Sequence, residues 1–192
     1  IDIRNNAYGV FTGCSNKGDV SGAGYVGGIA GESYSRLSSS ASSIEGCFNS
    51  GKVTGTGDFV AGILGYSNNY CIVTNAYNLG RVTGGDFVGG IIGQNGSAFK
   101  NKQLNCYNYG EIKGSGSSVG AIAGSNFAKN ANCYYLEGSI ESPVDKENVT
   151  AKASDTFSSG QLAYILDQGG TASRTTTWSQ GENWPVLADK DH

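Results

Sequence analysis

The side chains that could do chemistry are few, and their placement narrows that chemistry. The single histidine is His192, the last residue. Ser-His-Asp and Cys-His nucleophilic sites need an imidazole held among partners, so this position argues against both, and against a His-ligated metal. The five cysteines, Cys14, Cys47, Cys71, Cys106 and Cys133, form no Cys-x-x-Cys pair, which argues against a zinc ribbon. Carboxylates alone could serve a glycosidase or lyase. Here they are scattered, and only Asp58 and Asp86 occupy like positions, both in Gly-rich turns. Without a GGxGxD period they read as turn residues rather than calcium ligands or a catalytic pair. Gly22-Ala-Gly24-Tyr-Val-Gly27 matches GxGxxG but lacks a strand–turn–helix setting, so dinucleotide binding is not expected. Asn95-Gly-Ser97 and Asn148-Val-Thr150 fit a glycosylation signal. The expectation is a chain with no catalytic residue, no metal and no cofactor.

The cysteines mark a repeat. CSNKGDVSGAGYVGGIAG begins at Cys14, CFNSGKVTGTGDFVAGILG at Cys47, AYNLGRVTGGDFVGGIIG at Ala76 and CYNYGEIKGSGSSVGAIAG at Cys106; a degenerate start follows at Cys133-Tyr134-Tyr135. The starts are separated by 33, 29, 30 and 27 residues. A period near 30 is the mark of a solenoid, in which each unit buries its apolar side on its neighbours. Composition agrees. The 192 residues include 31 Gly, 2 Pro and no Met, with 15% charged. Gly in such excess disfavours helix, whereas Val, Ile and aromatic residues favour a pleated, half-buried surface.

Within a repeat, three strands are expected, on Cys-x-Asn, on Val-x-Gly and on Val-Gly-Gly-Ile-x-Gly. The fold class is all-β: a short right-handed-type β-helix, or β-solenoid, of about four to five three-stranded coils over residues 1–139. Residues 140–192 read as a linker followed by a small C-terminal cap. There Asp155-Thr156 opens a short helix with Phe157, Leu162, Ile165 and Leu166 on its apolar side and Gly169-Gly170 at its end. A last strand or hairpin holds Trp178 and Trp184-Pro-Val-Leu187. Ala76 standing in for Cys suits a buried stacking position, so the thiols are expected to pack reduced as small hydrophobes; disulfides remain the alternative. Asn16, Asn49, Asn78 and Asn108 should form an amide ladder or cap a turn.

Recurring Val-Gly-Gly-Ile-x-Gly preceded by Cys-x-Asn-x-Gly-x-Val-x-Gly resembles the GLUG repeat of bacterial surface and secreted proteins. The run Phe157-Ser-Ser-Gly-Gln-Leu-Ala-Tyr, with Trp178-Ser-Gln and Trp184-Pro-Val-Leu, is similar to a tail that follows such repeats in large Firmicutes proteins. The resemblance covers nearly the whole chain. It implies a secreted or cell-surface setting, in adhesin-like proteins or beside secreted enzymes such as IgA-cleaving metallopeptidases. It supplies no functional residue.

One feature could be a binding surface. The middle residues of Cys-x-Asn form a column of Ser15, Phe48, Tyr77, Tyr107 and Tyr134, expected to face outward as a flat strip for sugar rings or a protein. The candidate ligand residues are therefore Phe48, Tyr77, Tyr107 and Tyr134. Tyr25, Phe59 and Phe87 form a second column. Burial of one column under a loop such as Asn95–Gln103, or under the C-terminal module, is the competing reading. The partners in view are a host glycan or glycoprotein and other domains of the same parent protein. A net charge of −3 with no basic stretch makes nucleic acid a poor partner, and no apolar run approaches the ~18 residues of a membrane span. A start at Ile1 reads as a piece of a longer protein, with any signal peptide or anchor outside it.

Val88 is placed at the centre of the stack. Val88→Asp should unfold the isolated domain by burying an unpaired charge; near-native thermal melting of that variant would refute the core assignment.

Overall fold

Within each repeat a glycine, an asparagine or a glycine pair turns the chain every few residues, so its extended runs stay short and must pair coil to coil. The computed structural model describes residues 2–3, 9–34, 41–68, 70–96, 102–125, 129–145, 147–169 and 177–188, with backbone alone at 2–3 and 169. His192, Ser97, Gly170 and residues 97–101 of the Asn95–Gln103 loop lie outside the described residues.

The architecture is a β-solenoid of about four turns with few helices. Five parallel sheets run along it, against the three strands per coil expected. Two of the expected strands stand as read: the Cys-x-Asn sheet (Phe48–Asn49, Tyr77–Asn78, Tyr107–Asn108) and the Val-x-Gly sheet (Val53–Gly55, Val82–Gly84, Ile112–Gly114). The third divides at its glycine pair, into Val88–Gly89 and Ile92–Asn95 in one coil. The fifth sheet comes from the variable segments between repeats, Ser42–Glu45, Cys71–Thr74, Lys102–Leu104 and Lys129–Ala131. Equivalent residues face each other without slippage: Val60 pairs with Val88, Tyr77 with Tyr107, Asn78 with Asn108.

Three apolar clusters hold the molecule together, two of them inside the stack. One joins Ile63, Ile91 and Ile122 to the cysteine column, and a second packs the column Val53, Val82 and Ile112 against the column Val26, Val60 and Val88. The third lies outside the coils, between the aromatic column and the C-terminal module. Threaded between coils is the amide ladder. Nδ2 of Asn16 donates to Oδ1 of Asn49, Asn49 to Asn78 and Asn78 to Asn108, at 2.7, 2.7 and 2.8 Å. The other N–H of Asn49, Asn78 and Asn108 donates to a carbonyl two residues on. A Cβ at Gly62 would lie 2.3 Å from Cγ of Asn78, so glycine is what lets the ladder pass.

The stretch 141–154, read as linker and described except at residue 146, instead closes the end of the stack. Ser139 accepts from Ile112 N–H and Val119 accepts from Val144 N–H, both at 2.9 Å. The buried Asp145 carboxylate accepts from the amides of Ala121, Ile122 and Ala123 at 2.8, 2.8 and 2.7 Å. Val149–Lys152 then adds a strand to the Cys-x-Asn sheet beside Cys133–Leu136. An open sheet edge needs such closure, and the polar residues of this stretch supply it. The expected helix is two, α1 (Ser154–Ser158) and α2 (Gln161–Gly169), broken where Gly160 takes φ +82°. An antiparallel hairpin of Trp178–Gln180 and Pro185–Leu187 completes the module.

Asp145→Ala would leave three buried amides without an acceptor, at about 1–3 kcal/mol each when unmet, so a loss of roughly 3–5 kcal/mol is expected by chemical denaturation. Burial pushes the Asp145 carboxyl up, opposed by the amides it accepts from. A carboxyl raised in the fold stabilises most below the ordinary Asp range near ~4 and loses that contribution as pH rises through the folded value. The deficit of the variant should therefore shrink from pH 4 to pH 8. A loss under 1 kcal/mol at every pH would remove the clasp role.

Candidate functional site

The four aromatic residues expected to form an open strip do not form one. Phe48, Tyr77 and Tyr107 stack like coins along the solenoid axis, with centroids 4.9 and 5.0 Å apart and ring planes within 7°. Rings at coil spacing cover one another's faces and show only their edges, and here the edges are covered too. Trp178 leans across Tyr77 and Tyr107 at 5.8 and 5.6 Å, and Phe157 meets Tyr107 edge-on. Leu162, Leu166 and Leu187 finish the contact. Phe48, Tyr77 and Tyr107 are left 4%, 1% and 0% exposed, so the ligand role given to them is corrected: they anchor the C-terminal module. The Tyr107 hydroxyl donates to the Pro185 carbonyl, and Trp178 Nε1 to Asn75 Oδ1 at 3.4 Å. Lys17 Nζ lies 6.0 Å from the Phe48 ring centre, and Lys152 Nζ 5.7 Å from that of Tyr134. Tyr134 stays half-buried, its hydroxyl donating to Asn132 Oδ1.

The second column remains at the surface. Tyr25, Phe59 and Phe87 stack at 5.0 and 5.2 Å with 11° between planes. Tyr66, on the strand Leu64–Ser67, sets its ring across Tyr25 at 68° and across Phe59 at 60°, with centroids 5.4 and 5.1 Å away. Tyr25 is 48% exposed. Glu32 pairs in register with Tyr66 on the adjoining strand. Burial, then the neighbouring Tyr25, Glu32 and Tyr34, pushes the Tyr66 phenol up. Nothing in the repeat flags Tyr66, because its equivalents are Glu32 and Gln94; only its being aromatic on an outward strand position could have pointed to it.

The backbone under this column is unusual. Tyr25, Phe59 and Phe87 have φ of +53°, +63° and +52°. A left-handed position costs an ordinary L-residue about 1–2 kcal/mol, and each aromatic pair returns about 0.5–1.5 kcal/mol. The column is thus near energetic balance. The residue before the Cys position is left-handed in every coil too, yet there the chain uses Gly13, Gly46, Asn75, Asn105 and Asn132, the types that tolerate it. Gly65 packs against the turned backbone: a Cβ there would lie 2.7 Å from the Phe59 carbonyl oxygen.

The remaining candidate groups are occupied structurally. Asp58 Oδ1 accepts from the Asp86 amide at 2.8 Å, and Asp86 Oδ1 from the Ser118 amide at 2.6 Å, so these two bridge turns of successive coils. All five cysteines are free thiols. Sγ of Cys47, Cys106 and Cys133 donates to the carbonyl two residues before it, at 3.2–3.3 Å. Burial pushes Cys71 up to about 12 and Cys47 up to about 11. A cleft of about 450 Å³ opens beside Ile112–Gly114, with Ile140 and Val119 in its walls. The exposed pairs Arg81–Glu111 at 3.2 Å and Lys113–Glu111 at 2.7 Å lie on that side. Among the described residues, no group of three or more His, Cys, Asp or Glu is placed to hold a metal ion, and no helix is long and apolar enough to cross a membrane.

A thiolate, and not a thiol, reacts with disulfide reagents. Burial also closes a sulfur to the reagent, so at pH 8 the folded chain should label quickly at the half-buried Cys14 alone, and at the four buried thiols only on unfolding. Labelling of all five at one fast rate would contradict the packing.

No protein-family model matches the chain, and no curated protein matches it. Among solved structures it is similar to a Bacteroides ovatus protein provisionally described as an immunoglobulin A1 protease, with a TM-score of 0.66 and 23% identity. The match covers 94% of this chain and 57% of that one, so the chain spans little more than half of the structure it resembles. At this identity the likeness is one of fold.

Proposed function

We propose that this chain is a non-catalytic structural and adhesive module of a larger secreted or cell-surface bacterial protein, of the GLUG-repeat kind. The observation that carries the reading is how the polar and aromatic side chains are used. The asparagines run coil to coil, Asp58, Asp86 and Asp145 bridge turns or close the end, and the main aromatic column fastens the cap. Residues that could have made a site are taken up in holding one rigid stack together. Such a body holds what lies at its ends at a set separation.

A second reading is favoured by the comparison: an accessory module of a secreted enzyme, because the similar structure is described as a protease and extends well beyond the matched part. On that reading the parent protein would hydrolyse its substrate through another domain.

Single-molecule pulling between the chain's ends tests the first reading. A spacer built of stacked coils should give way coil by coil, in increments of about 100 Å for ~30 residues at ~3.3–3.6 Å each. A single collapse with no coil-sized increments would remove it. Deleting the module from its parent distinguishes the second: slower turnover of a macromolecular substrate, with small-substrate turnover unchanged, marks an accessory domain.

A further inference from the structure

Residues 129–152 close most of the far end of the stack and leave one edge open. Cys133–Leu136 and Val149–Lys152 extend the Cys-x-Asn sheet, and Lys129–Ala131 extends the sheet of the variable segments. Asp145 takes the amides of Ala121, Ile122 and Ala123, and Val144 N–H takes the Val119 carbonyl. The Val-x-Gly sheet instead ends on Ile112–Gly114, its edge strand. There the chain begins a further level and leaves it. Ser139 accepts from Ile112 N–H, Ile140 packs against the valine columns, and from Glu141 the backbone turns away. In a parallel ladder a residue turns its N–H and C=O to one neighbour, and the next residue turns both to the other. Ile112 faces the end of the stack and Ser115 donates back to Gly84, so Gly114 faces the end too. Among the described residues no group accepts from Gly114 N–H.

Beside this open edge lies the cleft of about 450 Å³, within the ~300–1,000 Å³ of ligand clefts. Ile112–Gly114 bring backbone to its walls, Val119 and Ile140 bring partly buried apolar surface, and Glu111, Lys113 and Glu141 bring charge. Lys113 and Arg81 are both held by Glu111, at 2.7 and 3.2 Å. The exposed Glu141 carboxylate has neither an ion pair nor a hydrogen bond among the described residues. We propose that the cleft takes an extended segment of a partner protein, laid along Ile112–Gly114 as an added strand. The segment turns a β-branched apolar side chain inward and a lysine or arginine toward Glu141. Each part of this occupant answers one wall. An unpaired edge N–H asks for a main-chain carbonyl, which is how sheets recruit peptides. Val119 and Ile140 ask for the side-chain type that fills the columns below them. The unpaired carboxylate at the rim asks for a cation. The site does not rest on the spacer reading, which pulling between the ends tests by itself.

Amide NMR and hydrogen exchange on the whole chain test this, with the end-blocked hexapeptide Lys-Val-Lys-Val-Lys-Val as probe. The controls are Glu-Val-Glu-Val-Glu-Val and the lysine peptide N-methylated at every residue, which offers no N–H and cannot lie against an edge. In the free chain Gly114 N–H should exchange at least tenfold faster than Ile112 N–H, which Ser139 holds. The lysine peptide should shift the Gly114, Val119 and Glu141 amides together, with one millimolar dissociation constant, and slow Gly114 exchange severalfold near saturation. The glutamate peptide should bind at least threefold more weakly, and the methylated one at least tenfold. Glu141→Gln should weaken the lysine peptide about threefold, the worth of an exposed charge pair. Glu141→Lys should reverse the preference, whereas Glu182→Gln, at an exposed carboxylate of the C-terminal module, should change nothing. Gly114 N–H as protected as Ile112 N–H in the free chain would overturn the proposal, because the edge would then be closed. So would no shift with the lysine peptide, binding no tighter than that of either control, or indifference to Glu141→Gln. Shifts at these amides that grow with protein concentration alone would give the edge to a second copy of this chain, and overturn the partner reading.

Discussion

Coil-to-coil register is the constraint on which everything else here rests, and four asparagine side chains impose it. A primary amide has two donors and an acceptor, which is what a residue repeated once per coil needs to bond its own turn and its neighbour's amide together. Buried polar groups are costly unless satisfied, so a coil displaced by one residue would strand Asn49 and Asn78 inside the stack. With register held, the valine and cysteine columns line up without further specification. The apolar effect then supplies the bulk of the stability and the amides its uniqueness.

Most of the fold could be read from the chain because its physics repeats. The Cys-x-Asn and Val-x-Gly strands, the buried thiols and the ladder each recur at the same offset, so a column stands out even when one member changes, as at Ala76. Two things did not repeat and were not legible. Ser42–Glu45, Cys71–Thr74 and Lys102–Leu104 form one sheet while sharing no residue pattern, since an outer strand needs only alternation of inward and outward side chains. Asp145 occurs once, in a stretch whose charges and Pro143 look like a linker until three amides are found pointing at it.

The two aromatic columns show why composition at a position does not decide its use. Both consist of rings spaced by one coil, and both were candidates for recognition. The column at Phe48, Tyr77 and Tyr107 was lost to solvent because residues some fifty to one hundred positions later, Phe157 and Trp178 among them, fold back over it. That contact is invisible to any local reading. Stacking also changes what an aromatic row can present: rings placed face to face along an axis show their rims.

The directionality of the ladder has a consequence for size. Each of the coils that carries a ladder asparagine offers an amide oxygen toward one end and an amide N–H toward the other, so these coils are complementary to one another. Removing a repeat would bring two matching surfaces together, whereas removing part of one would leave a donor facing a carbonyl-free wall. The body is therefore a ruler graduated in steps of about 4.8 Å. Genetic change can lengthen or shorten it only by integers, leaving the cap and whatever it joins untouched.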